Sequence, residues 1–207
     1  TTRTKMEGYP NFSPDGSKFC YMNRNYNFDY MEFDRCSGEF TNPTNILLPD
    51  SNLSQGIAFS PNNRFIYCNT YTQLFQFDTW ANDVEESRIL IDTIPFYQSG
   101  TPDWFAVEML APDNKIYIST YNSIDAMHVI NNPDSLGVSC DFVRQGLNLP
   151  QKNGYAIPNH PNYDLGPITG SECDTLYLSN SSLRNPDFSF SLVSNPYSGI
   201  LNIVYKK

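Results

Sequence analysis

One turn motif occurs three times in the chain, and it constrains the fold more than any other feature. Each copy begins with an apolar run, followed by Ser or Ala, then Pro, then Asp or Asn. A basic residue and a second apolar run that reaches Tyr complete it. The copies lie at residues 8–21, 56–67 and 106–117. Pro fixes φ at the second turn position, and Asp, Asn and Gly tolerate the tight positions that follow. Each copy therefore predicts a β-hairpin.

Two further strands follow each hairpin. A third strand with alternating apolar and polar residues is predicted at 30–34, 74–78 and 127–131, and a more exposed fourth strand fits 45–48, 88–92 and 142–145. The motif prolines Pro14, Pro61 and Pro112 are 47 and 51 residues apart, close to the roughly 40 to 50 residues of one propeller blade. The sequence therefore predicts an all-β fold, a β-propeller with about three full four-stranded blades.

The last part of the chain repeats this pattern only in part. A fourth copy begins at 153–159, and a short strand fits 175–179. We expect blades at about 1–50, 51–100 and 101–150, a partial blade at 151–183, and at 184–207 a linker with the start of a C-terminal domain. Closed propellers carry roughly four to eight blades, so we expect a piece of a larger propeller, or association through open blade edges.

Charge and composition exclude several partners. The net charge is -9 and no Lys/Arg cluster occurs, so a nucleic-acid backbone would be repelled. The longest apolar runs are far shorter than a membrane span. The 14 Tyr and 14 Phe, together with many Asn, Ser, Asp and Pro, are typical of strands and turns. The remaining partners are proteins or polysaccharides.

The cysteines give no zinc-site pattern, because they are widely spaced and the chain has only two His. Cys20 and Cys68 lie among aromatic residues, which is typical of buried free thiols in strands. Cys36, Cys140 and Cys173 lie in turn-like contexts. In an oxidising compartment we expect one disulfide among these three, and the spacing leaves its pairing open.

The ordered motifs together resemble a known family, the WD40-like, PD40-type propellers of large secreted proteins of Bacteroidetes, over about residues 8–175. The resemblance is carried by segments 12–16 (FSPDG), 33–39 (FDRCSGE), 58–62 (AFSPN), 74–78 (LFQFD), 111–117 (APDNKIY) and 162–175. Segment 194–203 (SNPYSGILNI) is similar to the start of a type IX secretion sorting tail. An ordinary edge strand after an Asn-Pro turn is the alternative there.

The resemblance implies export, with the protein released or displayed at the outer-membrane surface, where cysteines are oxidised. It also implies O-glycosylation at Asp-Ser/Thr-aliphatic triplets, whose acceptors would be Thr93, Ser135 and Thr175. Ordinary turns or strand starts are the alternative for each triplet. Glycans at such sites would be confined to loops.

Catalytic motifs are not apparent. His128 falls on a predicted strand and His160 in a Pro-rich loop, and neither accompanies a nucleophile motif. Glu7, Asp103 and Glu108 remain the carboxylate candidates for a propeller glycoside hydrolase or lyase whose other groups would lie in further blades. We therefore assign no catalytic residue.

No cofactor is predicted either. Calcium is the alternative, because acidic turns supply the oxygen ligands that it prefers. The candidate region contains Asp125, Asp134 and Asp141, and it has no complete calcium-binding loop. We therefore assign no metal ligand.

Aromatic residues on loops carry the functional prediction, because an exposed ring can stack on a sugar or anchor a peptide. The candidates are Trp104, Trp80, Tyr97 and Tyr26, of which Trp104 stands just before the third inner strand and thus near the channel mouth. Packing between blades is the alternative role. We predict a non-catalytic binding or scaffold module for protein or polysaccharide at the cell surface; a hydrolase or lyase, or a subunit of a surface assembly, are the alternatives.

Overall fold

The computed structural model describes residues 8–23, 27–49, 54–95, 101–157, 165, 166, 168, 170, 173, 189–194 and 201–206. The chain divides into two compact units, residues 1–166 and residues 167–207. The predicted boundary at 183/184 stays a prediction. Glu7, His160 and the strand expected at 175–179 lie outside the described residues.

Three four-stranded antiparallel sheets build the first unit, and in each sheet consecutive strands pair as a meander. We call the sheets blades 1, 2 and 3. The innermost strands of the three blades lie side by side in chain order. The strands are β1 (Gly8–Phe12), β2 (Lys18–Asn23), β3 (Asn27–Phe33) and β4 (Phe40–Leu47) in blade 1; β5 (Ser54–Phe59), β6 (Phe65–Thr70), β7 (Gln73–Asp78) and β8 (Ile89–Thr93) in blade 2; and β9 (Phe105–Leu110), β10 (Ile116–Thr120), β11 (Ile124–Ile130) and β12 (Phe142–Asn153) in blade 3.

This architecture confirms the predicted all-β fold: the first unit is a partial β-propeller. All three third strands overlap their predicted ranges: β7 fits to within one residue, whereas β3 and β11 begin three residues earlier than predicted, and β8 is shifted by one residue. β4 and β12 are longer than predicted, because their exposed residues lack the alternation that marks the inner strands. A short 3-10 helix, Gly137–Cys140, precedes β12.

The recurring turn forms the predicted hairpin through its own side chains. The hydroxyl of Ser13 accepts a hydrogen bond from the Lys18 backbone N–H at 2.9 Å, and the hydroxyl of Ser60 accepts one from Phe65 at 2.8 Å. In blade 3, Ala111 has no hydroxyl, and its turn keeps only the backbone bond that all three turns share, here from the Ala111 N–H to the Lys115 carbonyl at 2.8 Å. The turn geometry is therefore retained without the serine.

The blades pack face to face through two apolar clusters. The cluster between blades 1 and 2 contains aromatic, aliphatic and sulfur side chains from both sheets, and a similar cluster joins blades 2 and 3. Blade 2 is therefore enclosed on both faces, and every residue of β6 is buried. The central members of the first cluster are Cys20, Met22, Phe28, Ile57, Phe59, Ile66 and Phe77, and those of the second are Ala58, Phe65, Tyr67, Leu74, Phe105, Ile116 and Ile118.

The expected fourth copy of the repeat at 153–159 is wrong at its start. Asn153 ends β12 and pairs with Ile124, and residues 154–157 form no strand. The similarity of residues 154–159 (GYAIPN) to residues 8–11 (GYPN), which suggested a new inner strand, is short, and it lacks the basic residue and second apolar run of the full motif. Residues 158–164 lie outside the described part of the chain.

The second unit contains an antiparallel hairpin, β13 (Ser189–Ser194) and β14 (Leu201–Lys206). β14 includes residues 201–203, which are the apolar end of segment 194–203, the one that resembles a sorting tail. Among the residues that the structure describes, no helix has the length and hydropathy of a membrane span.

The cysteines fall into two classes. Cys20, Cys68 and Cys140 are buried free thiols, as predicted for the first two. Burial raises the pKa of each of these thiols, which suppresses the reactive thiolate. Cys36 and Cys173 are disulfide-bonded. Of the three cysteines considered for a disulfide, Cys140 takes no part.

Candidate ligand-binding face

Five aromatic rings lie at the end of the blades opposite the Ser-Pro hairpins. Neighbouring rings have centroids 4.8 to 6.5 Å apart, and each ring contacts the next. We call this set the aromatic row. It consists, in order, of Tyr9 in blade 1, Tyr155 after blade 3, Tyr121 in blade 3, Tyr71 in blade 2 and Trp104 in the loop before β9.

Two short turns hold the centre of the row. Tyr71 begins the turn between β6 and β7, and Tyr121 begins the turn between β10 and β11. Each tyrosine follows a buried threonine: the hydroxyl of Thr70 accepts from the backbone N–H of Gln73 at 3.0 Å, and the hydroxyl of Thr120 donates to a carbonyl within its own turn. These bonds fix the direction in which each tyrosine leaves its strand.

Backbone hydrogen bonds connect the loops that carry the row. The carbonyl of Tyr71 accepts from Phe105 at 2.9 Å, and the carbonyl of Trp104 accepts from Tyr121 at 2.8 Å. The backbone N–H of Tyr155 donates to the carbonyl of Thr120 at 3.1 Å. The rings of blades 2 and 3 are therefore held relative to one another by main chain rather than by side-chain packing alone.

Tyr155 connects the row to blade 1. Its hydroxyl lies 3.0 Å from the hydroxyl of Tyr9, and its carbonyl accepts from the hydroxyl of Ser119 at 2.7 Å. Tyr155 has φ of 65°, in the left-handed region that few non-glycine residues adopt. Such backbone strain persists only where the surroundings enforce it, and it concentrates at functional sites.

The row is partly exposed, and two of its rings also pack against the apolar clusters between blades, Tyr9 against the first and Trp104 against the second. Tyr121 is 41% exposed, and the other four rings are half-buried. A Tyr or Trp in this state offers an apolar ring face together with a polar O–H or N–H at its edge. The row is thus a surface of apolar ring faces edged by tyrosine hydroxyls, whereas the Nε1 atom of Trp104 is buried.

A buried polar group lies next to Trp104. The Nε2 atom of His128 lies 2.8 Å from the carbonyl oxygen of Asp103, and its Nδ1 atom accepts from the backbone N–H of Gln145 at 3.2 Å. The proton is therefore assigned to Nε2, and burial lowers the pKa of His128, which keeps the ring neutral. The side chain of Gln145 also donates to the Asp103 carboxylate at 2.9 Å. This group positions the loop before β9, and His128 is a strand residue, as predicted.

Glu108 lies between blades 2 and 3 and is only 2% exposed. One carboxyl oxygen accepts from the amide of Asn69 at 3.0 Å, and the other has no hydrogen-bond partner. Burial raises the pKa of Glu108 to about 8, so the group is neutral at pH 7. Gly56 makes the close contact with β9 here, since a Cβ atom would lie 2.7 Å from the Glu108 backbone nitrogen. The Glu108 carboxyl is therefore buried in the interface between blades 2 and 3.

The structure separates the predicted aromatic candidates. Trp104 belongs to the row, whereas Trp80 lies at the other end of β7, where it is 62% exposed and stacks on the guanidinium of Arg64 at 4.9 Å. Tyr97 and Tyr26 lie outside the described residues. Only one of the four candidates is therefore placed in the row.

The remaining predicted sites lie on loops and strand ends. Thr93 is exposed, Ser135 is half-buried with its carbonyl accepting from Gln76 at 2.8 Å, and Thr175 lies outside the described residues. The carboxylate of Asp134 accepts from the backbone N–H of Asn62 at 2.9 Å. Asp125, Asp134 and Asp141 are exposed, and the described residues contain no group of three or more His, Cys, Asp or Glu suited to a metal ion.

Sequence reasoning missed four members of the row. A signal for two of them is present, because the dipeptides Thr70-Tyr71 and Thr120-Tyr121 both follow the second strand of a blade. A turn residue that recurs in phase with the repeat points to the same end of each blade. Tyr9 and Tyr155 carry no such signal, since they meet only through the arrangement of the three packed blades.

Comparisons with solved structures find similar folds. The hydrazine synthase of Kuenenia stuttgartiensis matches 72% of this chain and 39% of its own chain, at 17% identity and a TM-score of 0.47. The dihydro-heme d1 dehydrogenase NirN in complex with DHE matches 72% and 29%, at 19% identity and a TM-score of 0.47. A virginiamycin B lyase from Staphylococcus aureus matches 68% and 40%, at 13% identity and a TM-score of 0.45.

These structures are propeller-like proteins, and the chain spans well under half of their length. Neither protein-family models nor curated proteins match the sequence.

Proposed function

We propose that this chain is a non-catalytic binding module and that the aromatic row binds a polysaccharide. The row itself carries this proposal: five Tyr and Trp rings, half-buried or exposed, stand at one end of three blades, four of them on adjoining loops and Tyr9 on β1. A pyranose has apolar C–H faces and polar edges, so a ring with a polar tip matches both of its surfaces.

The backbone hydrogen bonds between the loops of the row support ligand binding without conformational change. Hydrogen bonds from Phe105 to Tyr71 and from Tyr121 to Trp104 order the loops in the unliganded chain. A ligand then does not have to order these side chains, which lowers the free-energy cost of association. The row also contains no charged side chain, which favours an uncharged ligand.

The carboxyl groups support a non-catalytic role. A glycoside hydrolase needs two carboxyls that reach the scissile bond. Glu108 is enclosed between blades and bonded to Asn69, and Asp103 is buried and bonded to Gln145. Glu108 thus connects blade 3 to blade 2, and Asp103 connects the loop before β9 to β12.

We also propose that the protein is exported and acts outside the cell or at the outer-membrane surface, as a PD40-type propeller of Bacteroidetes with a type IX sorting tail. Two observations support this. Cys36 and Cys173 are disulfide-bonded, and disulfides persist in oxidising compartments. The Ser-Pro turns that carry the family resemblance form the inner hairpins of blades 1 and 2.

The test is a binding assay against a panel of neutral and acidic polysaccharides, by affinity electrophoresis and by titration of intrinsic fluorescence. The chain has two Trp, so the Trp80→Phe variant reports on Trp104 alone. We expect a neutral polysaccharide to shift the Trp104 emission. Trp104→Ala and Tyr121→Ala should each weaken binding by about tenfold or more, as central aromatic anchors do.

Trp80→Ala is the matched control, because Trp80 is more exposed than any ring of the row and lies at the opposite end of blade 2. It should leave the affinity unchanged. Binding that is lost with Trp80→Ala but kept with Trp104→Ala would refute the proposed site. Turnover of a polysaccharide that is abolished by Asp103→Asn or Glu108→Gln would refute the non-catalytic role.

A further inference from the structure

The aromatic row is not a flat surface, because its neighbouring rings are tilted against one another. The ring planes of Tyr9 and Tyr155 make an angle of 50°, and those of Tyr155 and Tyr121 make an angle of 76°. Tyr121 and Tyr71 are tilted by 56°, and only Tyr71 and Trp104, at 24°, are close to parallel. A flat ligand therefore cannot lie on consecutive rings at three of the four steps of the row.

The row also bends at the end that carries Trp104. The ring centroids of Tyr121, Tyr71 and Trp104 form a triangle with sides of 4.8, 6.1 and 6.5 Å. Trp104 is thus almost as close to Tyr121 as it is to Tyr71, and the three rings do not lie on one line. A ligand that follows the whole row therefore has to curve.

Hydrogen bonds hold both the tilt and the bend. The backbone N–H of Tyr121 donates to the carbonyl of Trp104, and the backbone N–H of Tyr155 donates to the carbonyl of Thr120. The hydroxyl of Tyr155 also lies 3.0 Å from the hydroxyl of Tyr9, which orients both side chains. Because these bonds order the row before a ligand is present, the ligand has to match the shape of the row rather than change it.

The linkage between its sugars sets the shape of a neutral glucan. A β-1,4 bond joins two equatorial positions on opposite sides of the glucose ring, so the chain is a straight ribbon whose sugar faces are parallel. An α-1,4 bond is axial at one end and a β-1,3 bond joins positions that are not opposite, so both chains curve. Glucose carries its ring hydroxyls equatorially, and both ring faces therefore offer C–H groups to aromatic rings that approach from different sides.

We infer that the aromatic row selects a curved, neutral glucan chain, with α-1,4 or β-1,3 linkages, over the straight β-1,4 ribbon. This inference rests on the proposed function, since it takes the row as the site that binds a polysaccharide. In a curved chain, successive sugars turn relative to one another, as successive rings of the row do. In a straight ribbon, parallel sugar faces match only the pair Tyr71 and Trp104.

The test compares three glucose pentasaccharides that have the same composition and charge and differ only in linkage: maltopentaose (α-1,4), laminaripentaose (β-1,3) and cellopentaose (β-1,4). Isothermal titration calorimetry on the full chain and Trp104 fluorescence in the Trp80→Phe variant measure the dissociation constants. We expect at least one of the two curved pentasaccharides to bind about tenfold more tightly than cellopentaose, which is the effect of losing one good aromatic contact. The tighter of the two identifies the linkage.

Variants show whether the row is responsible for this preference. Tyr121→Ala and Tyr155→Ala should each weaken binding of the preferred pentasaccharide by about tenfold, whereas Tyr155→Phe keeps the ring and should retain binding. Tyr117→Ala is the matched control, because Tyr117 is also half-buried but lies beside the hairpin, at the other end of β10 from Tyr121. It should leave the affinity unchanged. Far-ultraviolet circular dichroism checks that every variant keeps its sheets.

The possible results separate this inference from the proposed function. If cellopentaose binds as tightly as the curved pentasaccharides and Tyr121→Ala weakens its binding, the inference is wrong and the proposed function stands. The same holds if none of the three binds but another neutral polysaccharide of the panel does. If no polysaccharide binds, or if a preference for a curved chain is unaffected by Tyr121→Ala and Tyr155→Ala, both the proposed function of the row and this inference are wrong.

Discussion

Blades 1 and 2 have the same kind of hairpin, built on the same Phe-Ser-Pro sequence, but their inner strands have different surroundings. Ser13 and Ser60 are both buried, and each hydroxyl makes the same bond across its turn. Phe12 and Phe59 stand directly before these serines, yet Phe12 is 44% exposed and Phe59 is 1% exposed. The turn is therefore set by local chemistry, and the burial of the strand is set by the neighbouring blade.

The largest effect that tests this comparison comes from truncating the paired phenylalanines. Phe59→Ala should lower the free energy of unfolding by about 3 to 5 kcal/mol, because it leaves a cavity in the core between blades 1 and 2. Phe12→Ala should cost about 1 kcal/mol in the monomer, since much of the ring is already in water. Urea denaturation followed by circular dichroism measures both.

If Phe59→Ala and Phe12→Ala lowered the free energy of unfolding equally, the distinction between an enclosed and an open blade would be wrong. Leu90→Ala is a control for loss of an exposed apolar side chain, because Leu90 is about half exposed on the outer strand β8 of blade 2. It should resemble Phe12→Ala rather than Phe59→Ala.

A second test uses the carboxyl that the interface of blades 2 and 3 encloses. Burial raises the pKa of Glu108 from 4.5 to about 8, so the folded state holds a proton that the unfolded state has lost between these pH values. The contribution to stability is complete below about pH 4.5, declines by at most about 1.4 kcal/mol per pH unit, and is lost once the pH exceeds about 8.

Glu108→Gln should therefore gain stability relative to the wild type as the pH rises from 5 to about 8, by an amount on the order of a few kcal/mol. Urea midpoints at four or five pH values measure the difference. Glu39→Gln, at an exposed carboxyl of blade 1, is the control and should follow the wild-type profile. If the wild type and Glu108→Gln lose stability in parallel, Glu108 is not enclosed.

The smallest expected effect concerns the turn itself. Ser13→Ala and Ser60→Ala each remove the hydroxyl that satisfies a backbone N–H, of Lys18 and Phe65 respectively. Each variant should cost about 1 kcal/mol, with the two values within about 0.5 kcal/mol of each other. A cost found only in blade 2 would mean that the turn, too, depends on a neighbouring blade.

The elements that the sequence predicted are those with local causes. The hairpins follow from Ser-Pro-Asp turns, and β7 follows from the alternation of Leu74, Phe75, Gln76 and Phe77, whose side chains are in fact all buried. The outer strands β4 and β12 were predicted too short, because edge residues in water need no apolar pattern. The start of the repeat expected at 153–159 was wrong for a related reason, since a few matching letters do not specify a strand without its hairpin partner.

The candidate site was predictable only in part. Trp104 could be found as a loop aromatic before an inner strand. Tyr71 and Tyr121 occupy the same position in successive repeats, and this recurrence could have added two more rings. The contact of Tyr9 with Tyr155 joins residues 146 positions apart, and it depends on how three blades pack. A sequence pattern within one blade cannot predict a contact between residues that are so far apart in the chain.

The most direct test of the central claim, that neighbouring blades rather than turn chemistry set the burial of each strand, is hydrogen exchange measured by mass spectrometry on the monomeric chain. The account predicts the slowest exchange in peptides from β6 and β7, faster exchange in β2 and β3, and the fastest in the outer strands β4 and β12. Equal protection of β2 and β6, which follow the same hairpin, would contradict it.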